Sequence, residues 1–359
     1  MPARSRTPLA DYPATRVALL KPSSLGDIVH SLPVLTALRR RYPRARLTWV
    51  VNRTYEPLLR GHRDLDDTLP VDRTAVRSGL RAGAQSFVRL LGELRRRRFD
   101  LVIDLQGLFR SGLMTAVTGA ARRVGLSTAR EGAAWSYTDV VPVPPGDALH
   151  AVDRYRLVAE ALGAGGPPEF HVPVPEDARR WAWEVLRERP RPWLALGVGA
   201  RWRTKRWPPE HFAALARRAQ DHFGGTALLI GGPEEAEVAR AVAARLAGPV
   251  GDFTGRTTLP RLAALLARAD VMLANDTGPL HLAAALGRPV VAPYTCTGVG
   301  RNGPYGSARG AVETTVWCRG SYLKRCPRLE CMAELTPDRL WPVLQEVLLA
   351  WESQLTRCA

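Results

Sequence analysis

A cationic, hydroxyl-rich segment near the N-terminus could both bind an anion and supply a base. It reads Lys21-Pro-Ser-Ser-Leu-Gly-Asp27 and follows an apolar run that predicts a strand. The backbone N–H groups of Ser23, Ser24 and Gly26 could face an anion, and Lys21 would add positive charge. Asp27 has two interpretations that the sequence leaves open: it could be the N-cap of the following helix, or its carboxylate could act as a general base.

A second segment, Asp276-Thr-Gly-Pro-Leu-His281, follows another apolar run and opens an alanine-rich helix. Asp276 or Thr277 could cap this helix. The exposed N–H groups of the turn around Gly278, together with the helix dipole, would then form an anion site. His281 could donate a hydrogen bond to a phosphate, or it could be a buried structural histidine.

Two further turns have the same strand-to-helix position. Gly199-Ala-Arg201-Trp-Arg-Thr-Lys205-Arg-Trp-Pro208 places cations beside tryptophans after a glycine, a combination typical of diphosphate recognition. Gly231-Gly-Pro-Glu-Glu235 is a shorter turn of the same kind.

Charge restricts the class of partner. The 359 residues include 51 Lys+Arg and 34 Asp+Glu, a formal net charge of +17, and residues 1–150 contribute +11 of it. We therefore expect an anionic partner, such as a phosphorylated ligand, an anionic membrane surface or nucleic acid. Only three of the basic residues are lysines, Lys21, Lys205 and Lys324. Where the chain has lysine although arginine is so much more frequent, we expect that lysine to serve as a compact point charge.

The sequence lacks the characteristic motifs of several protein classes. The chain has no G-x-G-x-x-G after a strand, no G-x-x-x-x-G-K-[ST], no H-E-x-x-H and no G-x-S-x-G. NAD enzymes, P-loop NTPases, zincins and α/β-hydrolases are therefore not indicated, and no zinc-finger, basic-zipper or RRM signature supports nucleic-acid binding. Asp64-Leu-Asp66 imitates a metal-binding D-x-D motif, but it lies in a polar stretch, so we disfavour a metal there.

Short apolar runs alternate with helical stretches in two cycles, which predicts an α/β fold with parallel sheets covered on both faces. The predicted strands are 16–22, 47–52, 100–106, 193–199, 226–231, 270–275 and 289–294. The predicted helices are 27–41, 87–98, 209–223, 234–246, 259–269, 280–286 and 337–355.

The expected domain organisation has five parts. They are a flexible extension at 1–15, an N-terminal domain at 16–165, a linker at 166–176, a C-terminal domain at 177–336, and a last helical stretch at 337–359 that packs back on the first domain. No run approaches 18 apolar residues, and the first fifteen residues lack the apolar region of a signal peptide. We therefore expect a cytoplasmic protein.

The order and spacing of these motifs resemble those of the bacterial ADP-heptose:lipopolysaccharide heptosyltransferases, glycosyltransferase family 9. The resemblance extends over roughly residues 16–340 and rests on Lys21–Asp27, Asp104-Leu-Gln-Gly-Leu-Phe-Arg-Ser111, Lys205-Arg-Trp-Pro208 and Asp276–His281. It implies a GT-B fold, in which two Rossmann-like domains have parallel sheets that face each other across a cleft. It also implies an inverting transfer of heptose from ADP-heptose to a lipopolysaccharide inner-core acceptor, with no bound metal or other cofactor.

The resemblance carries over to individual residues. Asp27 resembles the catalytic aspartate of the family, and Lys205 resembles its diphosphate-binding lysine. The donor site is further expected to include Asp276, Thr277, Gly278, His281, Lys21 and Arg201, with Glu235 near the ribose. The expected acceptor-side residues are Ser23, Ser24, Gly26, Gln106 and Arg110. Ala200 and Arg201 stand where some members have threonines that would contact phosphate, so the subgroup stays open.

The expected partners are an ADP-sugar donor and a phosphorylated, lipid-anchored glycan acceptor. The basic N-terminal domain would contact the cytoplasmic face of the inner membrane peripherally, and no nucleic acid would bind. Two alternatives stay open: the same chemistry on a protein or another bacterial glycan, and a GT-B-like sugar-nucleotide epimerase. The epimerase would need acid/base groups on both faces of the sugar, where only Asp27 can be named.

Three of the five cysteines, Cys318, Cys326 and Cys331, lie in the segment 317–332. Some members of the resembled family have a comparable segment with a further cysteine, at the position of Ser321. The spacings differ from the usual metal-binding pairs, and a cytoplasmic chain keeps its thiols reduced. We therefore favour structural cysteines over a metal site.

Overall fold

The computed structural model describes residues 7–72, 79–146 and 149–358, with the backbone alone for residues 355–358. The chain divides into two compact units between Pro173 and Val174. This division falls inside the segment predicted to be the linker.

The first unit is a six-stranded parallel sheet with helices on both faces. Its strands are β1 (Arg16–Leu20), β2 (Arg46–Asn52), β3 (Asp67–Val71), β4 (Leu101–Asp104), β5 (Arg122–Leu126) and β6 (Asp139–Val141), in the order β3-β2-β1-β4-β5-β6. Its helices are α1 (Leu25–Arg41), α2 (Leu80–Arg96), α3 (Phe109–Thr118) and α4 (Ala151–Ala161). The central strands are buried on both faces because helices cover each side, and this explains their unbroken apolar sequences.

The second unit repeats this plan. Its strands are β7 (Trp193–Gly197), β8 (Thr226–Ile230), β9 (Val250–Asp252), β10 (Val271–Ala274), β11 (Val290–Tyr294) and β12 (Ala311–Glu313), in the order β12-β11-β10-β7-β8-β9. Its helices are α5 (Glu176–Leu186), α6 (Pro209–Phe223), α7 (Ala236–Ala243), α8 (Leu259–Arg268), α9 (Gly278–Ala285), α10 (Val299–Asn302), α11 (Glu330–Glu334) and α12 (Pro337–Cys358).

Both units therefore have the strand order of a Rossmann-like sheet. The first three strands follow one another towards one edge of the sheet, and the last three, starting beside the first strand, follow one another towards the other edge. The predicted α/β class with two parallel sheets is confirmed. In such sheets ligands bind at the carboxyl ends of the strands, near the point where the strand order reverses. In the first unit that point lies between β1 and β4, and in the second between β7 and β10.

The ends of the chain differ from expectation in one respect. Residues 7–15 are not a loose extension: Thr15 donates to the Asp100 carboxylate from its N–H at 2.9 Å and from its hydroxyl at 2.5 Å. Residues 1–6, which belong to the same predicted extension, lie outside the described residues. The final helix α12 buries Leu340, Leu344 and Leu348 in the core of the second unit. Its packing against the first domain stays a prediction.

Strands β3, β5, β6, β9 and β12 were not predicted from the sequence. They have three to five residues each, and, unlike predicted strands of similar length, they lack an unbroken apolar run because each contains a charged residue. Strand β3 also contains Pro70. Among the described residues, no helix is both long and apolar enough to cross a bilayer.

Candidate functional site

The first unit presents one accessible carboxylate at the carboxyl end of β1. Asp27 lies in the first turn of α1, and its side chain is 39% exposed. Its Oδ2 accepts hydrogen bonds from the N–H of Ser24 at 2.9 Å and from the hydroxyl of Ser24 at 2.8 Å. Ser24, not Asp27, is the N-cap, and the two residues form a capping box. The N-cap interpretation of Asp27 is therefore corrected, although the residue does support the helix start.

The other oxygen of Asp27 faces two groups from distant parts of the chain. The hydroxyl of Tyr155, on α4, donates to Oδ1 at 3.0 Å, and the ammonium of Lys21 lies 3.6 Å from the same oxygen. Lys21 is buried and donates to Tyr155 at 2.8 Å and to the carbonyl of Leu105 at 3.0 Å. We call Lys21, Ser24, Asp27 and Tyr155 the unit-1 cluster.

Electrostatics keep the unit-1 cluster charged at neutral pH. Partial burial alone would raise the pKa of Asp27, but the Lys21 charge and the two Ser24 hydrogen bonds outweigh it and hold that pKa well below its usual range. Burial would lower the pKa of Lys21, yet the charge of Asp27 raises it overall. The pKa of Tyr155 is raised by burial and by the charge of Asp27. Asp27 is therefore an ionised carboxylate with an exposed edge.

The neighbouring turn after β4 is built around a second carboxylate. Buried Asp104 accepts from the N–H groups of Gln106 at 2.9 Å and Gly107 at 3.0 Å, and from the hydroxyls of Ser111 and Tyr137, both at 2.8 Å. Burial raises the pKa of Asp104 despite these donors. With each oxygen accepting twice, Asp104 shapes the turn and does not offer a free edge to a ligand.

The structure places some of the expected acceptor-side residues in contact with one another. The amide oxygen of Gln106 accepts from the N–H of Ser23 at 3.4 Å, so the turns after β1 and β4 are joined. Gly26 is buried in the first turn of α1. Arg110 is exposed in the first turn of α3 and, in the described part of the chain, forms no ion pair.

The second unit has a buried carboxylate in the turn after β10. Asp276 lies between β10 and α9 and is 5% exposed. Its Oδ2 accepts from the ammonium of Lys205 at 2.5 Å and from the hydroxyl of Thr297 at 2.6 Å. Its Oδ1 lies 3.1 Å from Nε2 of His281 and accepts from the hydroxyl of Tyr294 at 3.3 Å. These five residues are the unit-2 cluster.

The unit-2 cluster holds its carboxylate strongly ionised. Burial would raise the pKa of Asp276, but the His281 hydrogen bond and the Lys205 charge lower it well below its usual range. Burial and the adjacent Asp276 charge raise the pKa of Tyr294 well above its ordinary value. His281 is buried with Nε2 on Asp276, a contact that favours the structural alternative for this residue.

The loop that carries Lys205 is fixed by a buried amide. Asn275 donates from its side chain to the carbonyl of Val198 at 2.8 Å, and its amide oxygen accepts from the N–H of Trp207 at 3.0 Å. Both ends of the loop between β7 and α6 are thus tied to the end of β10. Thr277 and Gly278 are half-buried at the start of α9, where the first N–H groups of a helix have no intrahelical acceptor. Such a helix start can bind an anion.

Glu235 occupies a space made by two glycines at the ends of β7 and β8. A Cβ on Gly199 would lie 1.8 Å from Oε1 of Glu235, and one on Gly231 would lie 2.3 Å from Oε2. Glu235 also accepts from the N–H of Gly232 at 2.9 Å, and burial raises the pKa of Glu235. Arg201, in contrast, is exposed and has no ion pair within the described residues.

Neither of the motifs weighed for a metal forms a coordination site in the described residues, where no group of three or more His, Cys, Asp or Glu side chains is placed to hold an ion. Asp64 accepts from Thr36 at 2.8 Å, and Asp66 accepts from Arg39 at 2.5 Å, so both carboxylates have structural partners. Cys318, Cys326 and Cys331 are free thiols. Burial and neighbouring thiols raise the pKa of Cys331.

Sequence reasoning missed one of the four residues of the unit-1 cluster and two of the five residues of the unit-2 cluster. Tyr155 lies 128 residues from Asp27, and no local spacing could have joined them. Tyr294 ends the predicted strand β11, and Thr297 lies just beyond it. A prediction that β11 lies beside β10 would therefore have indicated that both residues are close to Asp276. Asn275 is the polar last residue of the predicted strand 270–275, and this position at the end of an apolar run could have marked it as a structural anchor.

The chain is similar to known glycosyltransferases. Residues 87–331 match the family described as glycosyltransferase family 9 (heptosyltransferase). Lipopolysaccharide heptosyltransferase 1 of Pseudomonas aeruginosa is 32% identical over 94% of this chain and 99% of that relative. The solved structure of Escherichia coli heptosyltransferase WaaC with ADP has a TM-score of 0.73 at 28% identity, covering 93% of this chain and all of that one.

A further likeness concerns the fold alone. A glycosyltransferase of family 9 from Veillonella parvula has a TM-score of 0.78 at 22% identity, covering 95% of this chain and 98% of that one. These matches extend over both Rossmann-like units, so the predicted GT-B fold with two such units is confirmed.

The lowered pKa of Asp276 predicts acid sensitivity. The pKa of Asp276 is lower in the folded state than the ordinary value of about 3.9, so the ionised carboxylate stabilises the fold above that pH. This stabilisation is lost as the pH falls from the unfolded-state pKa towards the folded-state pKa. The free energy of unfolding should therefore fall by roughly 1–3 kcal/mol more in the wild type than in Asp276→Asn between about pH 5 and pH 2.5. Urea unfolding at stepped pH, followed by tryptophan fluorescence, measures this difference.

The exposed carboxylate of Asp221, on α6, provides the control, and Asp221→Asn should keep the wild-type pH dependence. Identical acid dependence in the wild type and Asp276→Asn would show that Asp276 is not held ionised by its partners.

Proposed function

This chain belongs to glycosyltransferase family 9, the heptosyltransferases, and from that premise we propose that it transfers heptose from ADP-heptose to a lipopolysaccharide inner-core acceptor. We propose that the transfer inverts the anomeric configuration and needs no bound metal. The observation that carries this proposal is the accessible, ionised carboxylate of Asp27 at the carboxyl end of β1, held by Lys21 and Tyr155.

Asp27 is the general base of this proposal. An acceptor hydroxyl is too weak an acid to attack an anomeric carbon while keeping its proton, so a base must take that proton as the bond forms. The exposed edge of Asp27 can receive it, since Ser24 and Tyr155 hold the carboxylate in place without covering it completely. The low pKa of Asp27 makes it a weak base. The proton therefore passes only once bond formation has acidified the hydroxyl.

Lys205 and the start of α9 bind the donor diphosphate. Charge develops on the ADP leaving group as its bond to the sugar breaks, and a fixed ammonium near that charge lowers the barrier. Asp276 positions Lys205, while the start of α9 adds the partial positive charge of a helix N-terminus. The ADP bound to the related Escherichia coli protein supports an adenosine diphosphate donor. Arg201 adds charge at the edge of this site, and Glu235 is placed to accept from the ribose hydroxyls.

Helix α2 is the surface we propose for contact with the anionic membrane that carries the acceptor. Leu80 and Val88 are 86% and 65% exposed on it. Arg81 and Arg89 are exposed beside them. An apolar stripe flanked by arginines is the pattern of a helix that lies in a lipid headgroup region. This places part of the basic excess of the N-terminal half on one element.

Two substitutions should separate the base from the leaving-group site. Asp27→Asn keeps the shape of the side chain and can still accept from Ser24, so it should fold and bind ADP normally while kcat falls by at least about 10²-fold. Lys205→Gln should instead raise the donor KM and also lower kcat, because charge on the diphosphate grows in the transition state. Steady-state kinetics with varied donor, together with ADP calorimetry, measures both effects.

Glu160→Gln changes an exposed carboxylate on α4 and should turn over at the wild-type rate. Near-normal kcat in Asp27→Asn would remove Asp27 from the chemistry and leave it only as the capping-box partner of Ser24.

The membrane proposal predicts a charge effect confined to α2. Arg81→Gln/Arg89→Gln should weaken binding to vesicles containing anionic phospholipid by at least about fivefold, since each arginine near such a surface contributes about 1 kcal/mol. Binding should also weaken with salt. Co-sedimentation with anionic and with purely zwitterionic vesicles provides the measurement. The matched control, Arg179→Gln/Arg217→Gln, removes two exposed arginines from α5 and α6. An equal loss in the control would mean that the arginines act only through net charge.

A further inference from the structure

The third lysine of the chain lies in a segment that has no role so far. Lys21 and Lys205 belong to the two clusters already described, and Lys324 lies in the cysteine-containing segment 317–332. With only three lysines among 51 basic residues, the position of each lysine is informative. A lysine is a compact cation that contacts a phosphate as a point charge.

Lys324 shares an aromatic partner with Lys205. The ammonium of Lys205 lies 4.8 Å from the centroid of the Trp202 ring, and that of Lys324 lies 5.4 Å from the same centroid. The two ammonium groups therefore cannot be farther apart than the sum of these distances. Cation–π contacts of this kind restrain both side chains near one indole.

Hydrogen bonds fix the segment of Lys324 against the unit-2 cluster. The hydroxyl of Thr204 donates to the carbonyl of Leu323 at 2.6 Å, which joins the residues immediately before Lys205 and Lys324. The N–H of Tyr322 donates to the carbonyl of Cys296 at 2.7 Å, one residue before Thr297 of the cluster. These two hydrogen bonds hold the backbone next to Lys324 beside the donor site.

The net positive charge of the donor site must come from cations other than Lys205, such as Arg201 and Lys324. The charge of Lys205 is matched by Asp276 at 2.5 Å, so this pair offers little net charge to a diphosphate. Lys324 is exposed, and within the described residues no carboxylate forms an ion pair with it. A nucleoside diphosphate carries more than one negative charge, and a second cation beside Lys205 would neutralise it.

We propose that Lys324 is a second diphosphate-binding residue of the donor site, positioned by Trp202 and by the Thr204–Leu323 hydrogen bond. The inference rests on the proposed function, because it takes the ligand to be a nucleoside diphosphate sugar. Lys205 is oriented by Asp276, whereas Lys324 supplies net charge. The segment 317–332 therefore forms one wall of the donor site.

Calorimetry with ADP, AMP and adenosine tests this role. Lys324→Gln should weaken ADP binding by at least about fivefold, since a hydrogen bond to a charged group contributes more than a neutral one. The loss should be smaller for AMP and absent for adenosine, because the ligand charge decreases in that order. Lys324→Arg should recover most of the ADP affinity. Arg325→Gln removes the adjacent exposed cation and should bind all three ligands as the wild type does.

Two results would overturn the inference while leaving the proposed function intact. One is ADP binding by Lys324→Gln that equals that of the wild type and Arg325→Gln. The other is an equal loss for ADP and adenosine, which would assign Lys324 a purely structural role through Trp202. Failure of the wild-type protein itself to bind ADP would instead contradict the proposed function, and the inference with it.

Discussion

The ion pair between Lys205 and Asp276 is the interaction on which the second unit's site depends. Asp276 is almost completely buried, and a buried carboxylate is tolerated only when its oxygens are paired and hydrogen-bonded. Its donors come from the loop after β7, the first turn of α9, and the end of β11 with the loop beyond it. Satisfying one carboxylate therefore brings the ends of β7, β10 and β11 together in one site.

The first unit uses the same pair of residue types for a different purpose. Lys21 and Asp27 also lie at the carboxyl edge of a Rossmann-like sheet, but the Asp27 side chain is 39% exposed, whereas that of Asp276 is 5% exposed. Asp276 is enclosed and contacts a lysine, whereas Asp27 has an exposed edge and a buried lysine that keeps it ionised. In the proposed function, Asp276 therefore orients Lys205, and Asp27 receives the proton of the acceptor hydroxyl.

The residues of each site that are close together in the sequence could be predicted. Strand-to-helix turns with Lys, Asp and Gly are recognisable because backbone geometry and charge at one turn are set by adjacent residues. Tyr155 was not predictable, because its contacts depend on which helix packs against the turn after β1. Thr297 required knowing that β11 lies beside β10. The same limit explains why the cap of α1 stayed open in the sequence: whether Ser24 or Asp27 caps the helix depends on a hydrogen-bond geometry that both residue types allow.

The central claim is that the two sites together transfer a heptose from an adenosine diphosphate donor with inversion. Its most direct test is a time-resolved NMR measurement of the protein with ADP-heptose and a heptose-free inner-core acceptor, in the presence of a metal chelator. The account predicts acceptor-dependent release of ADP and a new glycosidic bond whose anomeric configuration is opposite to that of the donor. A product with the donor's configuration, or no transfer from ADP-heptose under these conditions, would contradict it.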